Sequence, residues 1–356
     1  MKRSILTVFL SITLLASLTG CSQEVKLKTG VINSATIKSC AYDITMSTET
    51  TGNMNSISEE AGVSSMLNAG KVSLNFNGKM LKEKDRSKIS SNIRVSSAGV
   101  SFETPVYIDS SNTKLDFDMF IGVPDILKSL LGDQLANTTN LHLASKDLES
   151  YVKDNSSDEE YQKFQNSMTN VIAGKDNKNT QVSIDILATV NSYLDKNKKK
   201  VQTFEKLGNE SASKNGVYTI KLSKDDIKAI VSNYLGNKKY FSNYKDAIKE
   251  AQGASLAEFG DEVKSENLDD ASLVNEKFNK ELDAIKEINV ISTFTIEEKL
   301  ITKTNIKFDM NNTDGNVIFE IDSKLSDINK VTSIVAPNTS AENTLNIMEF
   351  IDSLTK

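Results

Sequence analysis

The chain is 356 residues long, with 42 Lys and Arg against 48 Asp and Glu, a formal net charge of −6, one His, two Cys and no Trp. The acidic balance argues against nucleic-acid binding, which needs basic patches. The single histidine excludes a histidine-rich zinc site, and no Walker loop or G-x-G-x-x-G is present. No cofactor or metal is therefore expected. Apolar content of 38% and charge of 25% suit a heavily solvated protein of one large domain or two small ones.

The amino end reads Met1-Lys2-Arg3, then an apolar run from Ile5 to Leu15. A membrane-spanning helix needs about 20 apolar residues, so this shorter run is that of a secretory signal peptide. No later segment of the sequence reaches spanning length. The run ends in Leu18-Thr19-Gly20-Cys21, which resembles the lipobox of bacterial lipoproteins. That resemblance implies a diacylglyceryl group on the Cys21 sulfur and cleavage between Gly20 and Cys21. Two acyl chains anchor stably where one does not. Loss of Lys2 and Arg3 takes the formal charge from −6 to −8. The expected location is the extracytoplasmic face of a cell membrane, the lipid-anchored partner being the membrane itself. Residues 21–39 are then a flexible tether. Cys40 is left without a disulfide partner, and its simplest role is that of a small buried hydrophobe.

Residues 40–356 are expected to form a single α+β domain. Strand patterns come first. Val72, Leu74 and Phe76 alternate with polar residues, as do Ile89, Ile93 and Val95, then Val100, Phe102, Val106 and Ile108, then Leu115, Phe117 and Met119. Strict alternation means one buried face and one wet face. The short polar loops between them read as an antiparallel meander. Pro105 cannot donate to a ladder, which places its strand at an edge or a bulge.

A helical insert follows near 122–198. Pro124 suits a first helical turn; Ser157 with Glu160 has the form of a capping box; Ile186, Val190 and Leu194 make a helical stripe. Strand-like VQTFEKLG and GVYTIKLS come next. Ser223 then caps a helix with Ile227, Ile230, Val231, Tyr234 and Leu235 at i, i+3, i+4, i+7, i+8, and helices continue over 223–285. A second meander alternates through Val290, Phe294 and Ile296, then Leu300, Ile306, Phe308 and Met310, then Val317, Phe319, Ile321 and Leu325. VTSIVAP, 331–337, reads as a last strand region. A final helix is expected to carry Leu345, Met348, Ile351 and Leu354, behind a capping box of Thr339 and Glu342. Segregated strands and helices give α+β rather than alternating α/β: a large curved antiparallel sheet, with meanders near both ends of the chain and helices packed on one face.

Catalytic patterns are weak. His142 lies outside any nucleophile elbow. Asp116 and Asp118 share a strand face, but paired glycosidase carboxylates need a cleft, usually with aromatic platforms. Asp309, Asn311 and Glu320 match calcium-loop positions 1, 3 and 12, but Gly315 falls one place late and the flanks are strands. Thr-Asp-Gly-Asn reads better as a hairpin turn. Phe241 and Tyr244 in KKYFSNYK fit one helix face and belong to a core. No enzyme activity is expected.

The combination of an amino-terminal lipid anchor, one-sided apolar strands and helices available as a lid resembles the half-barrel lipoproteins of the LolA and LppX type. The resemblance implies a cavity for an apolar or lipid-like ligand. Phe102, Val106, Phe117, Phe294, Ile306 and Phe308 are the candidate lining. The alternative is a protein-interaction or structural cell-envelope lipoprotein whose partner docks in a groove at a sheet edge.

Overall fold

The computed structural model describes residues 33–34, 36–52, 70–131, 135, 137–162, 164–165, 178–206, 215–255, 270–312, 315–339 and 343–354. The signal segment, Gly20, Cys21 and most of the expected tether lie outside the described residues, as do Asp314 and Glu342. The strands are β1 (Ser39–Gly52), β2 (Lys71–Lys82), β3 (Arg86–Ser97), β4 (Val100–Ser111), β5 (Phe117–Gly122), β6 (Asn140–Ala144), β7 (Gln202–Lys206), β8 (Gly216–Ser223), β9 (Glu287–Glu297), β10 (Leu300–Asn312), β11 (Gly315–Ser326) and β12 (Thr344–Asn346). The helices are α1 (Asp125–Leu131), α2 (Ser145–Asn155), α3 (Lys178–Lys196), α4 (Lys198–Val201), α5 (Lys224–Gly236), α6 (Lys238–Ser255), α7 (Ala271–Asp283) and α8 (Ile347–Leu354).

The strands hydrogen-bond in the order β12-β6-β5-β4-β3-β2-β1-β11-β10-β9-β8-β7, one open, mostly antiparallel sheet. The α+β class and the two meanders stand. By contacts the chain divides into two compact units. The first comprises Met1–Thr36, Ser47–Lys71 and Asp176–Asp322; the second comprises Ile37–Met46, Val72–Lys175 and Ser323–Lys356.

In the first unit the strand alternation and the helix stripes close on each other. Across β8, β9 and β10 the register aligns Leu222 with Val290 and Phe308, and Tyr218 with Phe294. These side chains join Val190 and Leu194 of α3, Ile227 and Ile230 of α5, and Leu282 of α7 in one buried cluster. Full burial of each such side chain contributes about 1.5–3 kcal/mol. The expected stripe of α5 is buried throughout, from Ile227 to Leu235. A second cluster joins Val231, Tyr234 and Leu235 to Phe241 of α6, with Tyr244 packed against it, which places KKYFSNYK in a core. One detail departs from simple alternation. A register shift between Ile301 and Lys303 in β10 inverts the side-chain order, so Ile301 is buried and Leu300 is not.

The start of α5 carries a buried polar network. Asp226 accepts from the Ser223 backbone N–H at 2.8 Å and the Ser223 hydroxyl at 2.6 Å, completing a capping box. Its other oxygen accepts from the Tyr193 hydroxyl at 2.5 Å and Lys200 Nζ at 3.0 Å. Burial pushes this carboxyl up, but the Ser223, Tyr193 and Lys200 hydrogen bonds outweigh it and hold it down to about 2. Burial, then the neighbouring Asp226, push Tyr193 up to about 12. The network ties α3, α4 and α5 together.

The second unit builds on β2 to β6. β3 and β4 join through Ala98 and Gly99, both at positive φ, the two-residue turn whose twist matches the strands. Pro105 proves to lie in an interior strand, because β5 pairs beyond β4. The β4–β5 ladder begins only at Val106 and Ile121, so Pro105 sits at a local edge. Its ring occupies the space a Cβ on Gly122 would need, 2.5 Å from Pro105 Cγ. The Ser157–Glu160 capping box forms, with the Ser157 N–H donating to Glu160 at 2.8 Å.

Three local expectations are corrected. The insert at 122–198 is interrupted by β6, whose alternation is only five residues long and is hidden between helical patterns. Leu345 belongs to β12, not the last helix, which begins at Ile347. VTSIVAP is not a strand: residues 331–339 have no regular structure and Val335 is 84% exposed. An apolar alternating run forms a strand only where a partner edge is free to receive it.

Candidate functional site

The second unit carries the most distinctive surface among the described residues. Register and the period of two sort its side chains completely. On one face Met80, Ile89, Ile108, Met119 and Leu143 align straight across β2, β3, β4, β5 and β6. A second row runs Val106, Ile121, Leu141 and Leu345 across β4, β5, β6 and β12. A third joins Leu74, Val95 and Phe102. Not one of these side chains is buried. Neither closed apolar cluster lies in this unit; its buried apolar residues, such as Ile37, Cys40 and Leu135, lie outside the rows.

Polar groups on that face are turned inward to the backbone. The Ser91 hydroxyl donates to the Asn77 carbonyl at 3.4 Å, Thr104 donates to the Gly122 carbonyl, and Ser110 to the Ser87 carbonyl at 3.5 Å. Gly78 sits beside Ser91, and a Cβ there would strike the Ser90 carbonyl oxygen at 2.1 Å, so β2 and β3 approach too closely for any side chain. The single formal charge on this face of β2 to β6 is Lys82, at a strand end.

The opposite face is charged and paired. Arg86 donates to Asp109 at 2.5 Å and to Asp116 at 3.1 Å. The Arg86 and Lys114 cations hold the Asp116 carboxyl below its ordinary range, Lys114 making the larger contribution. Arg94 pairs with Glu103 at 2.6 Å. His142 lies 3.1 Å from Asp118 and stacks on Phe120 with ring centroids 4.4 Å apart. Arg94–Glu103 is an exposed cross-strand pair and the others are part-buried, and no group of three or more metal-binding side chains occurs among the described residues.

The six candidate lining residues divide between the two units. Phe102, Val106 and Phe117 lie on the apolar face of the second unit, and Phe102 is 38% exposed. Phe294, Ile306 and Phe308 are core of the first unit, at 1%, 0% and 4% exposure. Sequence reasoning missed Leu141, Leu143 and Leu345, which extend the rows; their signal was the short alternation Leu141-His142-Leu143. Cys40 is buried, and burial pushes its thiol up, away from nucleophile chemistry. Around the loop tested for calcium, Asn305 donates to Glu320 at 2.7 Å across β10 and β11, a cross-strand contact.

Comparisons with protein-family models, with curated proteins and with solved structures found no match.

Proposed function

We propose that this chain is a non-catalytic lipoprotein, anchored through acylated Cys21 to the outer face of a cell membrane, which holds an apolar, lipid-like ligand against the sheet face of its second unit. In this reading the sheet is curved, with helices packed on one side of it. The observation that carries the proposal is the set of apolar rows across β2 to β6 and β12, none of them buried. Proteins rarely leave such continuous apolar area incompletely buried without a use for it. Its interior hydroxyls are spent on backbone carbonyls, so the face offers a ligand dispersion and burial rather than hydrogen bonds.

Native mass spectrometry of the chain from Ser22 onward, purified from its own host and followed by solvent extraction, tests the ligand. A stoichiometric apolar molecule is expected. A clean protein mass, together with no binding of an environment-sensitive apolar dye, would overturn the carrier reading. Cys21→Ala is expected to move the protein from the membrane to the soluble fraction; persistent membrane partitioning contradicts the anchor. The second reading, docking of an envelope protein, draws on the hairpin end of β4, where Val100 is 60% exposed beside Phe102. Val100→Asp separates the two: it weakens partner capture while leaving a ligand on the Met80–Leu143 row.

A further inference from the structure

The carboxyl end is attached differently from the rest of the second unit. Thirteen described residues after β11, Asp327 to Thr339, have no helix or strand, a length uncommon for a connection within a compact domain. The chain then adds β12 to β6 over only three residue pairs, Thr344 with Asn140, Leu345 with Leu141 and Asn346 with His142. The pair is parallel and joins residues about two hundred positions apart. α8 rests on β6, β12 and α2. Other hydrogen bonds hold the segment as well. The Asn343 carbonyl accepts from the Thr139 N–H at 2.8 Å and the Asn140 N–H at 3.2 Å, and Asn346 Nδ2 donates to Asp147 at 2.9 Å.

This attachment is shallow. From Ser323 onward no described residue is buried, although the stretch includes Ile334, Val335, Leu345, Ile347, Met348 and Phe350. By contrast Ala144 and Ser145, at the other end of β6, are buried. Segments with few buried contacts open at a fraction of the global unfolding free energy. Leu345 is also the terminal member of the Val106–Ile121–Leu141 row, so the segment caps the end of the apolar face and the outer edge of β6.

We infer that β12 and α8 form a releasable strap: it undocks as a unit while β2 to β6 stay folded, uncovering the Leu141 end of the apolar rows. Its role as the access route for a ligand rests on the function proposed above; its undocking does not.

Hydrogen exchange on the Cys21→Ala chain tests the undocking. Amides of β12 and α8 are expected to exchange at least about a hundredfold faster than those of β4 and β5. Equal protection overturns the strap. Leu141→Cys with Leu345→Cys, in a Cys40→Ala background, lets a disulfide lock β12 to β6. Oxidation is expected to bring β12 and α8 exchange to the rate of β5 and to slow uptake of a fluorescent sixteen-carbon fatty acid at least about tenfold, with reductant reversing both. Uptake unchanged by a lock that does suppress exchange overturns the access role. Failure of the Cys21→Ala chain, with Leu141 and Leu345 in place, to bind the probe at all overturns the lipid reading, and the exchange data still decide the strap. A chain ending at Thr339 gives an independent check: cooperative unfolding is expected to persist, whereas its loss makes the segment part of the core.

Discussion

The two units show what an alternating strand pattern does and does not decide. Leu222, Val290 and Phe308 form a cross-strand row in the first unit, and Ile89, Ile108 and Met119 form one in the second. The residue types and the period are the same. In the first unit the row lies under Val190, Leu194, Ile227 and Leu282 from three helices and is fully closed. In the second no row residue is buried. Among the described helices, α3, α5 and α7 supply Val190, Leu194, Ile227, Ile230 and Leu282 to that cluster, whereas α2 of the second unit is mostly polar and buries only Ser145. A face of equal hydrophobicity is thus sealed core in one place and only partly covered in the other.

Mutations can break this contrast. Phe294→Ala empties a site with 1% exposure and is expected to cost about 3–5 kcal/mol, measured by urea unfolding. If Met119→Ala on the second unit costs as much, the contrast collapses; about 1 kcal/mol or less is expected, since a methionine that is not fully buried leaves no sealed cavity. Between these lies Asp226→Asn, expected to cost about 2–3 kcal/mol through the network at the start of α5. The sign follows from a folded-state value of about 2 against an unfolded value of about 3.9. Asp226 binds protons less readily when folded, so its contribution is complete above about pH 4–5 and lost as pH falls through about 2. Acid titration of stability in wild type and D226N should therefore converge at low pH; parallel curves would remove the carboxylate from the explanation. The smallest effect is expected from Arg94→Ala, which breaks an exposed pair with Glu103. No measurable change in the unfolding midpoint is expected, and a clear loss would mean that the charged face carries structure.

Much of the fold is legible in local pattern. The helix stripe from Ile227 to Leu235 and the alternation Val290, Phe294, Ile296 correspond to buried faces because their periods, 3.6 and 2, are long enough to stand out. The misses have physical causes. β6 is shorter than a pattern window. β12 is an edge strand whose formation depends on Asn140 to His142, far away in sequence. Leu300 and Ile301 exchange roles because of one register shift, which alternation alone cannot reveal. For the candidate site, Phe102, Val106 and Phe117 were visible as apolar strand residues. Their separation from Phe294, Ile306 and Phe308 into another unit was not.

The amino-acid sequence by itself determined the longer strands and helices and which side of each is apolar, since those follow from spacing within a few residues. Only the tertiary structure decided which apolar sides are covered, where β6 and β12 meet, and that residues 331–339 stay unpaired. The physical reason is that burial is a competition. Each apolar face gains free energy only by finding a partner face, and the number of helical stripes within reach, not the hydrophobicity of the strand, sets which faces are left open.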